Sequence, residues 1–222
     1  MRFRRLRSLR RQTLHRLINN LFYINILYKV GITGGIGSGK SSVCSLLAAY
    51  GVPVYDSDAE AKRLMEQSVD LREALCEAFG EECYSVQGLN RAYLASKVFG
   101  DAEQLQRLNS IVHPAVRADF AAWAESQRAP YVVLESAILF ESGFNNEVDT
   151  TLAVLAPLEE RIRRTMERDN TDRESVMRRI GHQLSDDELH RLSNNSIVNI
   201  RRDYLESDVE QLHKKLLYEA NR

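Results

Sequence analysis

Residues 27–50, LYKVGITGGIGSGKSSVCSLLAAY, read as strand, glycine-rich loop and helix. Residues 27–33 are a short apolar run, and from Lys40 onward Val43, Leu46 and Leu47 recur at helical spacing. Between them, Gly34, Gly35, Ile36, Gly37, Ser38, Gly39, Lys40 and Ser41 match G-x-x-x-x-G-K-[ST] at every fixed position. A polyphosphate needs many donors close together. Glycines let backbone N–H groups turn inward with no Cβ in the way, and a helix starting at Lys40 aims its positive end at the same point. On this reading Lys40 reaches the β- and γ-phosphates of a nucleoside triphosphate and the Ser41 hydroxyl ligates Mg²⁺. The loop alone licenses nucleotide binding and nothing more.

Working outward, Gly51 closes the helix, and residues 52–55 read as a second short strand despite Pro53. Residues 131–134 and 151–155 are further buried-strand candidates, and 196–199 is a weaker one. Helical stretches separate them, so the expected fold is α/β, a parallel sheet flanked by helices. The interval 59–127 offers no core strand but four helical stretches, AEAKRLMEQ, LREALCEAF, RAYLASKVF and residues 102–126, and reads as a helical insertion. Residues 161–183 form a second helical block, dense in arginine. Neither internal repeats nor low-complexity linkers divide the chain, so both blocks are excursions from one core formed by residues 27–58 and 128–222.

Composition narrows the partners. Residues 1–29 hold seven Arg and one Lys with no acid, so against a formal total of -1 the remaining chain carries about -9. So acidic a body lacks the field that gathers nucleic-acid backbones. Cys44, Cys76 and Cys83 show no C-x-x-C spacing and read as reduced thiols of a cytoplasmic protein. No apolar run is long enough to span a bilayer. The Arg-rich residues 1–26, with Leu14, Leu17, Ile18 and Leu21 at helical spacing, suit a transit peptide or a surface-bound amphipathic helix, or equally a disordered leader or an early-assigned start.

Phosphoryl transfer also needs an oriented acceptor. The second strand ends in Val54-Tyr55-Asp56-Ser57-Asp58, with two carboxylates just past the strand edge where open α/β sheets bind ligands. One of them serves as base for an acceptor hydroxyl and the other orients it or holds Mg²⁺ through water. The alternative, that Asp56 or Asp58 caps the following helix, stays open, and one residue for each job is compatible with both. Residues 131–135, YVVLE, are an apolar strand ending in Glu135, which reads equally as a metal- or acceptor-facing carboxylate and as a surface acid. Phe140 and Glu141 follow closely and read as lining the same cleft, with Phe140 as an acceptor contact. In RTMERD, Arg164 and Arg168 lie four apart and share a helix face, where they can meet charge developing on a transferred phosphoryl group. Arg161 and Arg163 read as a solvated, ion-paired face.

Five segments together resemble the dephospho-CoA kinase family: VGITGGIGSGKSSV, VYDSDAEAK, NSIVHPAV, ESAILFESG and RTMERD, spread over most of residues 30–199. The resemblance implies a nucleotide-kinase-like core, a helical acceptor domain at 59–127, a lid at about 160–185, and passage of the ATP γ-phosphate to the ribose 3′-hydroxyl of dephospho-CoA. It also implies Asp58 as catalytic aspartate with Asp56 beside it, Arg164 and Arg168 as lid arginines, and His113-Pro114 as an acceptor-domain signature. On residues alone, His113 reads equally as a position at a helix start fixed by Pro114. The chain departs from the family pattern at Ser42, where threonine is frequent, at Ala137 in place of a frequent proline, at Asn194 in place of aspartate, and in lacking a glycine after Asn199. Adenine contacts are therefore left unassigned. Two rivals remain: another P-loop kinase acting on a nucleoside, a nucleoside monophosphate or a shikimate-like alcohol, and a nucleotide-dependent switch, though no Asn-Lys-x-Asp segment is present.

Overall fold

The structure, a computed structural model, describes residues 27–222. The expectations placed on residues 1–26 lie outside it. The core is a parallel sheet of β1 (Tyr28–Thr33), β2 (Val54–Asp56), β5 (Tyr131–Glu135), β6 (Thr150–Leu155) and β7 (Asn195–Val198), in spatial order β2-β5-β1-β6-β7. The chain leaves β1 toward one edge, returns through β5, and continues on the other side through β6 and β7. A crevice therefore opens above the C-terminal end of β1.

Alternation along β5 shows why helices cover both faces. Tyr131 and Val133 join Val30, Ile32, Leu152 and Val154 in a core under α1 (Lys40–Ala49) and α9 (Arg202–Ala220), which contributes Val209, Leu212 and Leu216. Val132 and Leu134 face the other way, into a core with Tyr55, Leu75, Val116 and Phe120. The helices on that side are α2 (Ser57–Gln67), α3 (Val69–Phe79), α4 (Arg91–Val98) and α5 (Ala102–Ser126). The helical insertion thus shares its core with the sheet. It also carries a two-stranded antiparallel ribbon, β3 (Tyr84–Ser85) with β4 (Gly88–Leu89), which the helical reading of this interval did not include.

Helix α5 runs straight through Pro114. His113 therefore sits in mid-helix, and the reading of Pro114 as a helix start is corrected: the apolar face Val112, Val116, Phe120 and Ala124 holds the helix together across the missing N–H. The arginine-dense block divides into α6 (Leu158–Asp169) and α7 (Arg173–Ile180) at Asn170, whose φ of 47° ends the first helix in the left-handed region, and α8 (Asp186–Leu192) follows.

Candidate active site

The end of β1 runs directly into the glycine loop, and α1 begins at Lys40 with Gly39, at φ 96°, as its cap. Lys40 folds back so that Nζ donates to the Gly34 carbonyl at 2.8 Å. Burial pulls its ammonium below the usual lysine value, with Glu135 and Asp58 opposing. Ser41 Oγ donates to Glu135 Oε1 at 2.9 Å, joining the first turn of α1 to the end of β5.

Asp56 and Asp58 divide the roles that the sequence left open. Asp56 is the N-cap of α2, its Oδ1 accepting from the Asp58 and Ala59 amides at 3.0 Å each. Asp58, in the first turn, keeps its own carboxylate uncommitted to the cap. Burial, then the charge of Asp56, holds the Asp58 carboxyl above the usual carboxylate range, against pulls from Lys40 and Lys62.

A cavity of about 670 Å³ gathers Ile36, Gly37, Gly39, Lys40, Ser41 and Ser42 from the loop, Asp56, Asp58, Glu135 and Ala137 from the strand ends, and Arg164 and Arg168 from α6. Gly34, Gly35 and Ser38 form the loop's back, and Ser38 is wholly buried. Arg164 donates through Nε to Glu160 at 2.8 Å and through Nη2 to the Asn199 carbonyl at 3.3 Å. Arg168 pairs with Asp169 at 2.7 Å, and Asp169 also receives Arg179 at 2.6 Å. A smaller, mostly apolar chamber of about 190 Å³ shares Asp58 with this cavity and is lined by Met65, Val112, His113 and Phe144 among others. Through His113 and Asn109 it adjoins an outer groove of about 470 Å³ bounded by Arg117 and Glu141. Burial, then Arg117, lowers the His113 pKa. Phe140 is half-buried and lines neither chamber; Phe144, four residues on, faces His113 with ring centroids 6.2 Å apart.

Sequence reasoning missed several contributors. Lys62 lines the cavity one helical turn after Asp58, a spacing that could have found it, whereas Arg179 and Gln183 carried no such signal. Arg163 is the exposed, ion-paired residue expected, held by Glu160 and Glu167. Arg161 is not: only 3% exposed, it donates to the Ile36 carbonyl and pairs with Asp186, so its reading as a solvated face is corrected. Its spacing of three and seven from Arg164 and Arg168 placed it on the same face all along. Asn199 is buried and donates to the Ser38 carbonyl at 2.9 Å, and Asn194 uses Oδ1 to receive the Thr151 amide and hydroxyl, both at 2.9 Å.

A phosphate loop at the tip of a central parallel strand, faced by carboxylates and arginines across one crevice, is the arrangement of a P-loop kinase. The family model for dephospho-CoA kinase matches residues 28–202. A dephospho-CoA kinase of Bacteroides fragilis is 44% identical over 172 residues, covering 77% of this chain and 84% of the relative. The chain belongs to the dephospho-CoA kinase family. Among solved structures, the Thermus thermophilus protein TT1252 superposes with a TM-score of 0.75 at 39% identity, over 87% of this chain and 97% of that one. A shikimate kinase from Acinetobacter baumannii, at 15% identity and a TM-score of 0.54 over 88% of this chain and 96% of its own, shares the fold.

Proposed function

We propose that this chain transfers the γ-phosphate of ATP to the ribose 3′-hydroxyl of dephospho-CoA, giving coenzyme A and ADP in the cytoplasm. The observation that carries the reading is the position of Asp58, which borders both the phosphate cavity, opposite Lys40, and the apolar chamber beyond it. An acceptor lodged in that chamber presents its hydroxyl between the two. The Asp58 carboxylate takes the hydroxyl proton as the acceptor oxygen bonds to the γ-phosphorus, and the bond from that phosphorus to the β–γ bridging oxygen breaks. Lys40, the loop amides, Arg164 and Arg168 meet the charge that spreads over the phosphoryl oxygens.

The chamber and outer groove together give room for a long acceptor with an apolar stretch, which supports dephospho-CoA over a compact alcohol such as shikimate. His113 lies where the two meet and is proposed as an acceptor contact; Glu135 is proposed to face the metal. Phe144, at the chamber wall, is the aromatic proposed to meet the acceptor in place of Phe140. The helical insertion serves as the acceptor-binding part, and α6 with α7 as the lid. The hydroxyl of Ser41 and the carboxylate of Glu135, bonded to each other at the cavity wall, are hard-oxygen groups that would hold Mg²⁺, and the ion would neutralise charge on the phosphates when bound.

ADP release coupled to a reporter, with ATP and Mg²⁺ and with dephospho-CoA, adenosine and shikimate compared as acceptors, tests the reading. Dephospho-CoA should give kcat/KM at least ~10²-fold above the others, since a site built around one acceptor leaves groups unpaired with another. Turnover of adenosine or shikimate with none of dephospho-CoA overturns it.

A further inference from the structure

We propose that Arg161 is a positioning residue for the phosphate loop, forming with Gln183 and Asp186 a clamp that holds the loop in its nucleotide-binding shape. A charged side chain only 4% exposed needs strong compensation, and here the compensation is aimed at the loop. Nε donates to the Ile36 carbonyl at 3.0 Å, and Nη1 donates to Asp186 Oδ1 at 2.6 Å. Nη2 has no hydrogen-bond partner and is pressed against Gly35, where any Cβ would land on the guanidinium. One turn on, Thr165 Oγ1 donates to the Arg161 carbonyl at 2.8 Å, and the Arg161 carbonyl and Thr165 hydroxyl together fill the space that a Cβ at Gly37 would need. From the other side, Gln183 Oε1 receives the Ile36 amide at 2.8 Å.

Both polar groups of Ile36 in the loop are thus held by residues 125 and 147 positions away along the chain. A glycine-rich loop has the largest backbone entropy to lose on binding. Fixing it beforehand moves that cost from the binding step to folding, which shows as affinity for the polyphosphate. Because Arg161 shares its helix face with Arg164 and Arg168, the same clamp sets where those two cations stand over the phosphates.

The inference takes its ligand, ATP, from the proposed function, so the first measurement is ATP binding to the wild-type chain. No binding there would remove the parent reading and this one with it. With binding in hand, Arg161→Lys, Gln183→Ala and Asp186→Asn are compared by equilibrium ATP titration, by KM for each substrate and by thermal melting. Lysine keeps the charge but cannot fork to Ile36 and Asp186 together, so Arg161→Lys should weaken ATP binding by about 10- to 100-fold. Gln183→Ala should weaken it by about 5- to 10-fold, and Asp186→Asn by less, since an amide oxygen still accepts from Nη1. The KM for dephospho-CoA should stay within about twofold in all three. A merely structural pair would lower the melting temperature and leave ATP affinity alone, and that result in folded Arg161→Lys and Gln183→Ala overturns the proposal. Should Arg161→Lys fail to fold, Gln183→Ala decides by itself: unchanged ATP affinity refutes the clamp.

Discussion

Asp58 bears two opposed demands. The proposed role as base requires its charged form, while burial beside Asp56 raises its carboxyl in the folded chain. The folded protein therefore holds that proton more tightly than the unfolded chain does, and stability is lost as pH rises from the unfolded value of about 4 through the raised folded one. Asp58→Asn has no charge to desolvate, so it should melt higher than wild type at pH 7.5 while its kcat falls ~10²- to 10⁴-fold. A variant that melts lower with kcat intact would make Asp58 a structural residue. In the wild type, kcat/KM should decline on the acid side at a pH above that of an ordinary aspartate. Lys40→Ala should cost ~10²- to 10³-fold in kcat, read in the same assay, because its ammonium lines the phosphate cavity and is free to leave the Gly34 carbonyl for a phosphoryl oxygen. Lys40 stood out in the chain because a phosphate loop prescribes residue types at fixed spacing, whereas Asp58 was singled out only with Asp56 at a strand end, and from that pair by family resemblance. Arg161 and Asn199 were not legible, because what makes them matter is burial against the back of the loop, which no local spacing encodes.

Elements show where local signals were overruled. Residues 102–126 read as a helical stretch and form one helix, and β1, β5 and β6 lie within a residue of their expected bounds, since fully buried parallel strands are short apolar runs. Pro114 pointed to a helix start, but tertiary packing on the face from Val112 to Ala124 carried α5 across it. Pro114→Ala should restore the amide that the Ser110 carbonyl lacks and raise stability by about 1–3 kcal/mol, measurable by urea denaturation. A loss of stability would mean that neighbours have adapted to the ring. The ribbon of β3 and β4 escaped notice because two-residue strands leave no period to detect. Helix α9 packs Val209, Leu212 and Leu216 against α1 and the sheet, so Leu216→Ala should cost about 2–5 kcal/mol. Melting should report that loss, with kcat at 25 °C unchanged because none of the described residues of α9 lines the cavity.

The whole molecule brings to one crevice groups from the end of β1, the ends of β2 and β5, and the arginine helix. Ligand binding there should therefore be felt throughout: ATP with Mg²⁺ at one hundred times its dissociation constant adds about 2.7 kcal/mol, or a rise of about 5–10 °C in melting temperature for a chain of this size. No shift would mean that the crevice does not bind ATP. Among the described residues no helix is long and apolar enough to cross a membrane. The bond between Ser41 and Glu135 bears on how the crevice fills. The two groups proposed for the divalent ion satisfy each other beforehand, so an arriving cation would exchange one partner for another instead of ordering loose side chains. In that proposal the hydroxyl and carboxylate are placeholders for the ion.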